Sequence, residues 1–90
     1  MGNLRLSIHS AEHIWLRELF VKQRQILGLS QRTLGLKMGV LASFIGKVET
    51  GDRRLDIFEF MAYCEGLELD PIEVLREIDL KFNSKNIRNR

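Results

Sequence analysis

His9 and His13 stand four residues apart, the spacing at which one helix face can offer two imidazoles to a metal ion. His9 precedes the expected helix cap at Ser10, however, and no third ligand follows, so both histidines are expected at the solvent surface and no metal is expected. Ser7, Ser10, Ser30 and Ser43 lack the histidine–carboxylate relay that makes a hydroxyl nucleophilic. There is no G-x-x-x-x-G-K loop to cradle a phosphate, and no cofactor is expected. Cys64, a lone cysteine, forms neither an intramolecular disulfide nor a multi-cysteine zinc site, which fits a reducing, cytoplasmic setting. An enzyme is therefore not expected. The chemistry left to the chain is recognition through charge, hydrogen bonding and apolar contact.

The residues that could carry it cluster between Leu29 and Arg53, in LSQRTLGLKMGVLASFIGKVETGDR. This stretch reads as two short helices joined by a tight turn. A helix-turn-helix crosses its helices at roughly 90–120° over a turn of about 3–4 residues, so it needs a small residue early, a glycine at the turn and apolar anchors beyond. Gly35 is small where the second helix passes closely, Gly39 can take the positive φ of the turn, and Val40, Ile45 and Val48 can anchor the outer helix.

The surrounding elements follow from helical periodicity and capping chemistry, and the expected fold is all-α, a compact bundle of five helices. Ser10 is the expected N-cap of the first, with Glu12 in its first turn and Leu16, Leu19, Phe20, Gln23 and Leu27 along one stripe up to Gly28. Ser30 caps a second helix running to about Met38, with Leu34 and Met38 inward, and a third spans about 41–50 and ends at Gly51. Asp56 and Glu59 form a D-x-x-E box opening a fourth helix, with Ile57, Phe60, Met61 and Cys64 on its inner face and Gly66 at its end. Asp70 and Pro71 open a fifth, whose stripe is Ile72, Leu75, Ile78 and Phe82. Trp15 and Tyr63 are expected in the core or at an interface. Residues 1–9 form an N-terminal arm, in which Asn3 to His9 alternate with a strand period, read either as a partly ordered arm or as a strand pairing across a dimer. Residues 10–82 form the domain, with the helix-turn-helix at about 30–50, and 83–90 are a basic C-terminal tail.

From Leu16 to Leu75 the chain resembles the phage-repressor and Cro-type helix-turn-helix family, the xenobiotic-response-element (XRE) type regulators. The resemblance rests on Gly28-Leu29-Ser30-Gln31, Leu34, Met38-Gly39-Val40, Ile45 and the Glu49, Gly51, Arg53 pattern. It implies a lambda-repressor-like domain that binds double-stranded DNA sequence-specifically, usually as a homodimer, with the third helix in the major groove and repression as the expected outcome. It also implies residue roles. Gln31, at the start of the second helix, matches a position that reaches phosphate and sometimes a base edge, with Arg32 beside it at the backbone. Ala42, Ser43, Phe44 and Lys47 match positions that face base edges: Ser43 as donor or acceptor, Lys47 toward guanine, Ala42 or Phe44 against a thymine methyl. Arg53 and Arg54 match a phosphate-clamping loop, and Arg24 and Glu49 a structural ion pair between the first and third helices.

The chain departs from that pattern at Leu41, where a Ser or Thr cap is common, at Gly35 in place of alanine, and at Ala42 and Gly46 in place of longer polar residues. A helical glycine costs about 0.5–1 kcal/mol relative to alanine, so the two glycines are expected to weaken the motif. Lys47 is the one side chain on the third helix long enough for a bidentate base contact. A competing reading is an antitoxin-like or adaptor module that keeps this fold and packs its third helix, with Ala42, Phe44 and Gly46, on a protein partner.

Charge sharpens the division. The 90 residues carry a net charge of only +2, but residues 1–51 hold +4, residues 52–80 hold −6 and residues 81–90 hold +4. The positive part coincides with the helix-turn-helix, as a polyanion-facing surface requires, and the negative part with the helices behind it. A chain this short buries only about 60–65% of the surface its unfolded form exposes, leaving little room for a deep substrate cavity. No apolar run reaches the roughly 18 residues of a membrane span, and the start lacks the apolar stretch of a signal peptide, so neither membrane nor export is expected.

Overall fold

Helix termini in this chain are written in capping chemistry, and a computed structural model, which describes residues 8–83, places them accordingly. The elements are α1 (Ala11–Ile26), α2 (Gln31–Met38), α3 (Ala42–Thr50), α4 (Ile57–Gly66) and α5 (Pro71–Ile78), followed by a π-helical turn over Asp79–Asn83. No strand occurs among the described residues. Ser10 accepts the His13 amide, Ser30 the Thr33 amide and Asp70 the Ile72 amide, while Asp56 and Glu59 close a reciprocal capping box. Each such cap satisfies an orphan donor and contributes about 1 kcal/mol. The strand-patterned segment lies almost wholly outside the described residues; its last two members, Ile8 and His9, form a turn before Ser10. The basic tail lies outside them beyond Asn83.

The core is built from every helix: Phe20 of α1, Leu34 of α2, Ile45 and Val48 of α3, Phe60, Tyr63 and Cys64 of α4, Leu67 of the following turn and Val74 of α5. Phe20 stacks on Tyr63 at 4.6 Å between ring centroids and leans against Phe60 at 6.2 Å. α2 packs on α3 and α4, α1 on α3, and α4 on α5. Full burial of each large apolar side chain is worth about 1.5–3 kcal/mol, so α3 is rooted by Ile45 and Val48.

Three expectations need correction. On α4 the inward side is Phe60, Tyr63 and Cys64, while Ile57 and Met61 are exposed. On α5 Val74 and Ile78 turn inward, and Ile72 and Leu75 face solvent. Both helices carry two apolar stripes, and helical period alone does not choose between them. For α5 the connection decides: Leu67 is fully buried and Glu68 takes a left-handed φ of 61°, so the chain swings and presents the Val74 stripe. Gly66 closes α4 as expected, without taking a left-handed conformation; a Cβ there would stand 2.9 Å from Met38 Cγ. Finally, α5 ends at Ile78, and the wider π-helical turn brings Phe82 edge-on to Trp15 at 6.3 Å.

Candidate nucleic-acid interface

α3 is set against α2 by a close backbone approach. A Cβ on Gly35 would stand 2.6 Å from the Val40 carbonyl oxygen, so glycine lets the turn fold back onto α2. The Val40 amide then donates to the Gly35 carbonyl at 2.8 Å, and Gly39 adopts φ 77°, a conformation glycine takes without strain.

With Ile45 and Val48 pointing inward, helical geometry fixes the rest of α3. Each residue turns about 100°, so Ser43 and Lys47, two positions either side of Ile45, share the outward face. Both are exposed. Ala42 and Phe44 sit on the flanks and are half-buried, Phe44 packing against the core. Gly46 faces α2, with the Gln31 side-chain oxygen 3.5 Å from where its Cβ would lie. Leu41 precedes the helix without making a side-chain cap and is 76% exposed. Val40, Leu41, Ser43, Phe44, Lys47 and Arg53 line one shallow groove along this face.

Behind α3 lies a polar cluster. Arg24 Nε donates to Glu49 Oε2 at 2.6 Å, Arg24 Nη2 to Glu49 Oε1 at 3.0 Å, and Arg24 Nη1 to the Leu29 carbonyl at 2.8 Å. Gln31 Nε2 donates to the same Glu49 Oε1 at 2.9 Å. α1, the loop before α2, α2 itself and α3 are thereby joined through one carboxylate and one guanidinium. The hydrogen bond to Glu49 holds the Arg24 guanidinium above its ordinary pKa, against the opposing pull of burial. Gln31 thus has its amide nitrogen engaged within the fold.

The loop after α3 holds a second cluster. The Arg53 guanidinium lies 4.9 Å over the Phe44 ring, Nη2 donates to Glu59 Oε2 at 2.5 Å and Nη1 to the Arg54 carbonyl at 2.7 Å. Glu59 Oε1 accepts the Asp56 amide at 3.0 Å, so one carboxylate both caps α4 and holds Arg53. Beneath the loop, Arg17 packs its guanidinium against Gly51 and donates to the Ile8 carbonyl at 2.6 Å. Arg32, Lys47 and Arg54 are exposed, and among the described residues their side chains have no acidic partner.

The sequence-predicted residues therefore fall into three sets. Ser43 and Lys47 share the outer face of α3, Gln31 joins Arg24 and Glu49 behind it, and Arg53 covers Phe44 on its flank. His9 is exposed, whereas His13 is half-buried, a correction to the expectation for that pair. Among the described residues no group of three His, Cys, Asp or Glu side chains could hold a metal ion, and no helix is long and apolar enough to cross a membrane. Two residues escaped the sequence reading. Leu41 was legible as a missing cap but not as part of the groove, and Glu59 was legible as a cap but not as the partner of Arg53.

A solved structure of an XRE-family like protein from Pseudomonas syringae pv. tomato aligns with this chain at 35% sequence identity and a TM-score of 0.77. The alignment covers 83% of this chain and 92% of that one. No family model and no curated protein matches.

Proposed function

The chain belongs to the XRE-type helix-turn-helix family, and from that premise we propose that it is a sequence-specific, double-stranded-DNA-binding repressor acting as a homodimer. The observation that carries the reading is the outward face of α3: Ser43 and Lys47 exposed on one side of a helix whose other side is anchored by Ile45 and Val48. A helix so mounted fits the B-DNA major groove, where Lys47 meets guanine O6 and N7 and Ser43 a neighbouring base edge. Leu41, exposed at the helix tip, offers an apolar contact to a thymine methyl. Arg32 and Arg54 supply backbone contacts that position without specifying.

The homodimer is supported by the single reading head among the described residues and by exposed apolar residues on the later helices: Ile57, Phe58 and Met61 on α4 and Ile72 and Leu75 on α5. Two copies would read half-sites about 34–36 Å apart. Repression follows from occupancy, since a dimer seated on a promoter excludes other proteins from the same groove. The reading involves no catalytic step and places the protein in the cytoplasm, with which one buried, unpaired thiol at Cys64 agrees.

Selection of bound fragments from a random duplex library, run beside light scattering, tests the proposal. A two-fold-symmetric motif and a dimer mass are expected, with Lys47→Ala relaxing preference at one position of each half-site by about 1–3 kcal/mol. Failure to enrich any sequence would turn the reading to the protein-interaction module.

A further inference from the structure

Arg53, on the flank of the reading face, already has both terminal guanidinium nitrogens engaged. Its guanidinium is pinned from three directions, by the Phe44 ring of α3, by Glu59 Oε2 of α4 and by the carbonyl of Arg54, while its own amide donates to the Lys47 carbonyl at 3.1 Å. A phosphate that took the Nη2 donor facing Glu59 would have to displace that charge-assisted bond, and drawing the guanidinium toward the backbone would lift it off the aromatic face. The two side chains are 42% and 30% exposed, within reach of an approaching backbone. Glu59 is itself fixed by its reciprocal bonds with Asp56, so it holds Arg53 from a rigid helix start rather than from a free side chain.

We infer that Glu59 is a positioning residue for DNA recognition: it holds Arg53 over Phe44, fixing the aromatic flank of α3 and withholding that guanidinium from the phosphate backbone. The inference rests on the DNA-binding reading and adds to it a division of labour within the loop. Arg54 contacts phosphate, and Arg53 shapes the face that reads bases. Withholding a cation lowers affinity for every sequence alike and leaves the selectivity ratio as it was, whereas fixing Phe44 favours only the sequences that fit it and so raises selectivity.

The experiment measures affinity for the enriched duplex and for random-sequence duplex against salt concentration. Each phosphate contact contributes about 0.9 to the slope of log affinity against log salt. Glu59→Gln is expected to free Arg53, steepening the slope on random duplex by about 0.9 and lowering the selectivity ratio several-fold. Arg53→Ala alone is expected to leave the slope unchanged while lowering selectivity, and Arg53→Ala in the Glu59→Gln background to restore the parent slope. Asp52→Asn removes the same charge from the neighbouring loop, where the carboxylate bonds Thr50 rather than the Arg53 side chain, and is expected to leave the slope near that of the parent. The inference is overturned if Glu59→Gln leaves the slope unchanged, if Asp52→Asn steepens it equally, or if Arg53→Ala alone flattens it by about 0.9. A parent protein that binds no duplex overturns the DNA-binding reading itself and the inference with it, a result distinct from all three.

Discussion

Arg24 and Glu49, twenty-five residues apart in the chain, are joined by two side-chain hydrogen bonds of 2.6 and 3.0 Å. The bonds tie the last turns of α1 and α3 together. Their side chains are only 14% and 8% exposed, so removing one partner leaves a charge that water cannot fully reach. Breaking such a pair typically costs about 3–5 kcal/mol. Arg24→Ala additionally strips the Leu29 carbonyl of its donor. In a domain of this size the loss corresponds to a fall in Tm of more than about 10 °C, read by circular dichroism. A variant that melts with the parent would show that the pair contributes nothing net.

The two helical glycines of the motif, alike in sequence, diverge in structure. A Cβ on Gly46 meets nothing closer than the Gln31 side chain at 3.5 Å, an ordinary contact, so Gly46→Ala is expected to stabilise by about 0.5–1 kcal/mol. A Cβ on Gly35 meets the Val40 carbonyl oxygen at 2.6 Å, and backbone cannot swing aside as a side chain can. Gly35→Ala is expected to destabilise by about 1–3 kcal/mol despite its better helix propensity. Urea midpoints of the two variants should move in opposite directions; movement in the same direction would refute the close approach.

What was legible beforehand tracks the range of the interactions. Ser10, Ser30, Asp56 with Glu59, and Asp70 with Pro71 state helix starts within four residues, because a cap is a local bond. The outward placement of Ser43 and Lys47 was legible too, since it follows from the inward placement of Ile45 and Val48 by helical period. The inner faces of α4 and α5 were not, because Ile57 and Met61 compete with Tyr63, and Ile72 and Leu75 with Val74, and only the three-dimensional path of the chain chooses. The same limit hid the Arg53–Glu59 pair. Arg53 lies in the loop between α3 and α4, where no periodicity relates its side chain to Glu59 on the helix that follows.

Tyr63 carries a polar atom that the core does not use. Its ring is fully buried on Phe20, and among the described residues its hydroxyl has no hydrogen-bond partner. Burial drives its pKa well above the ordinary phenol value. A buried, unpaired hydroxyl costs about 1–3 kcal/mol, so Tyr63→Phe, which keeps the ring and removes the oxygen, is expected to raise stability by about 1 kcal/mol or more. Thermal melting decides the point, and a lower Tm would mean that the hydroxyl is bonded in solution.

Cys64 gives the fold an alkaline limit. Burial first, and Asp70 second, push its thiol up to about 11 from an ordinary 9.0. The unfolded chain therefore releases this proton before the folded one does. The thiol's contribution to stability is complete below about pH 9 and declines as pH rises toward 11, with Tyr63 adding a loss of the same sign above 10. Urea midpoints should fall across that window, and less steeply in Cys64→Ala. In the native state the thiol should resist alkylation at neutral pH and react only on unfolding; rapid labelling of the native protein would contradict its burial.

Leu41 sets stability against recognition at a single position. It occupies the N-cap of α3 with extended backbone and no side-chain bond, leaving a donor that Ser or Asp would satisfy. Because its side chain is 76% exposed, replacement sacrifices almost no burial. Leu41→Ser is accordingly expected to stabilise the domain by about 0.5–2 kcal/mol, the usual worth of a side-chain cap. On the DNA-binding reading, the same change removes the apolar tip that touches a thymine methyl, so discrimination against a thymine-to-uracil exchange at one operator position should disappear. The two readouts are independent. A Tm that does not rise would show the cap to be already satisfied, and methyl discrimination that survives in Leu41→Ser would assign the contact to another residue of the groove.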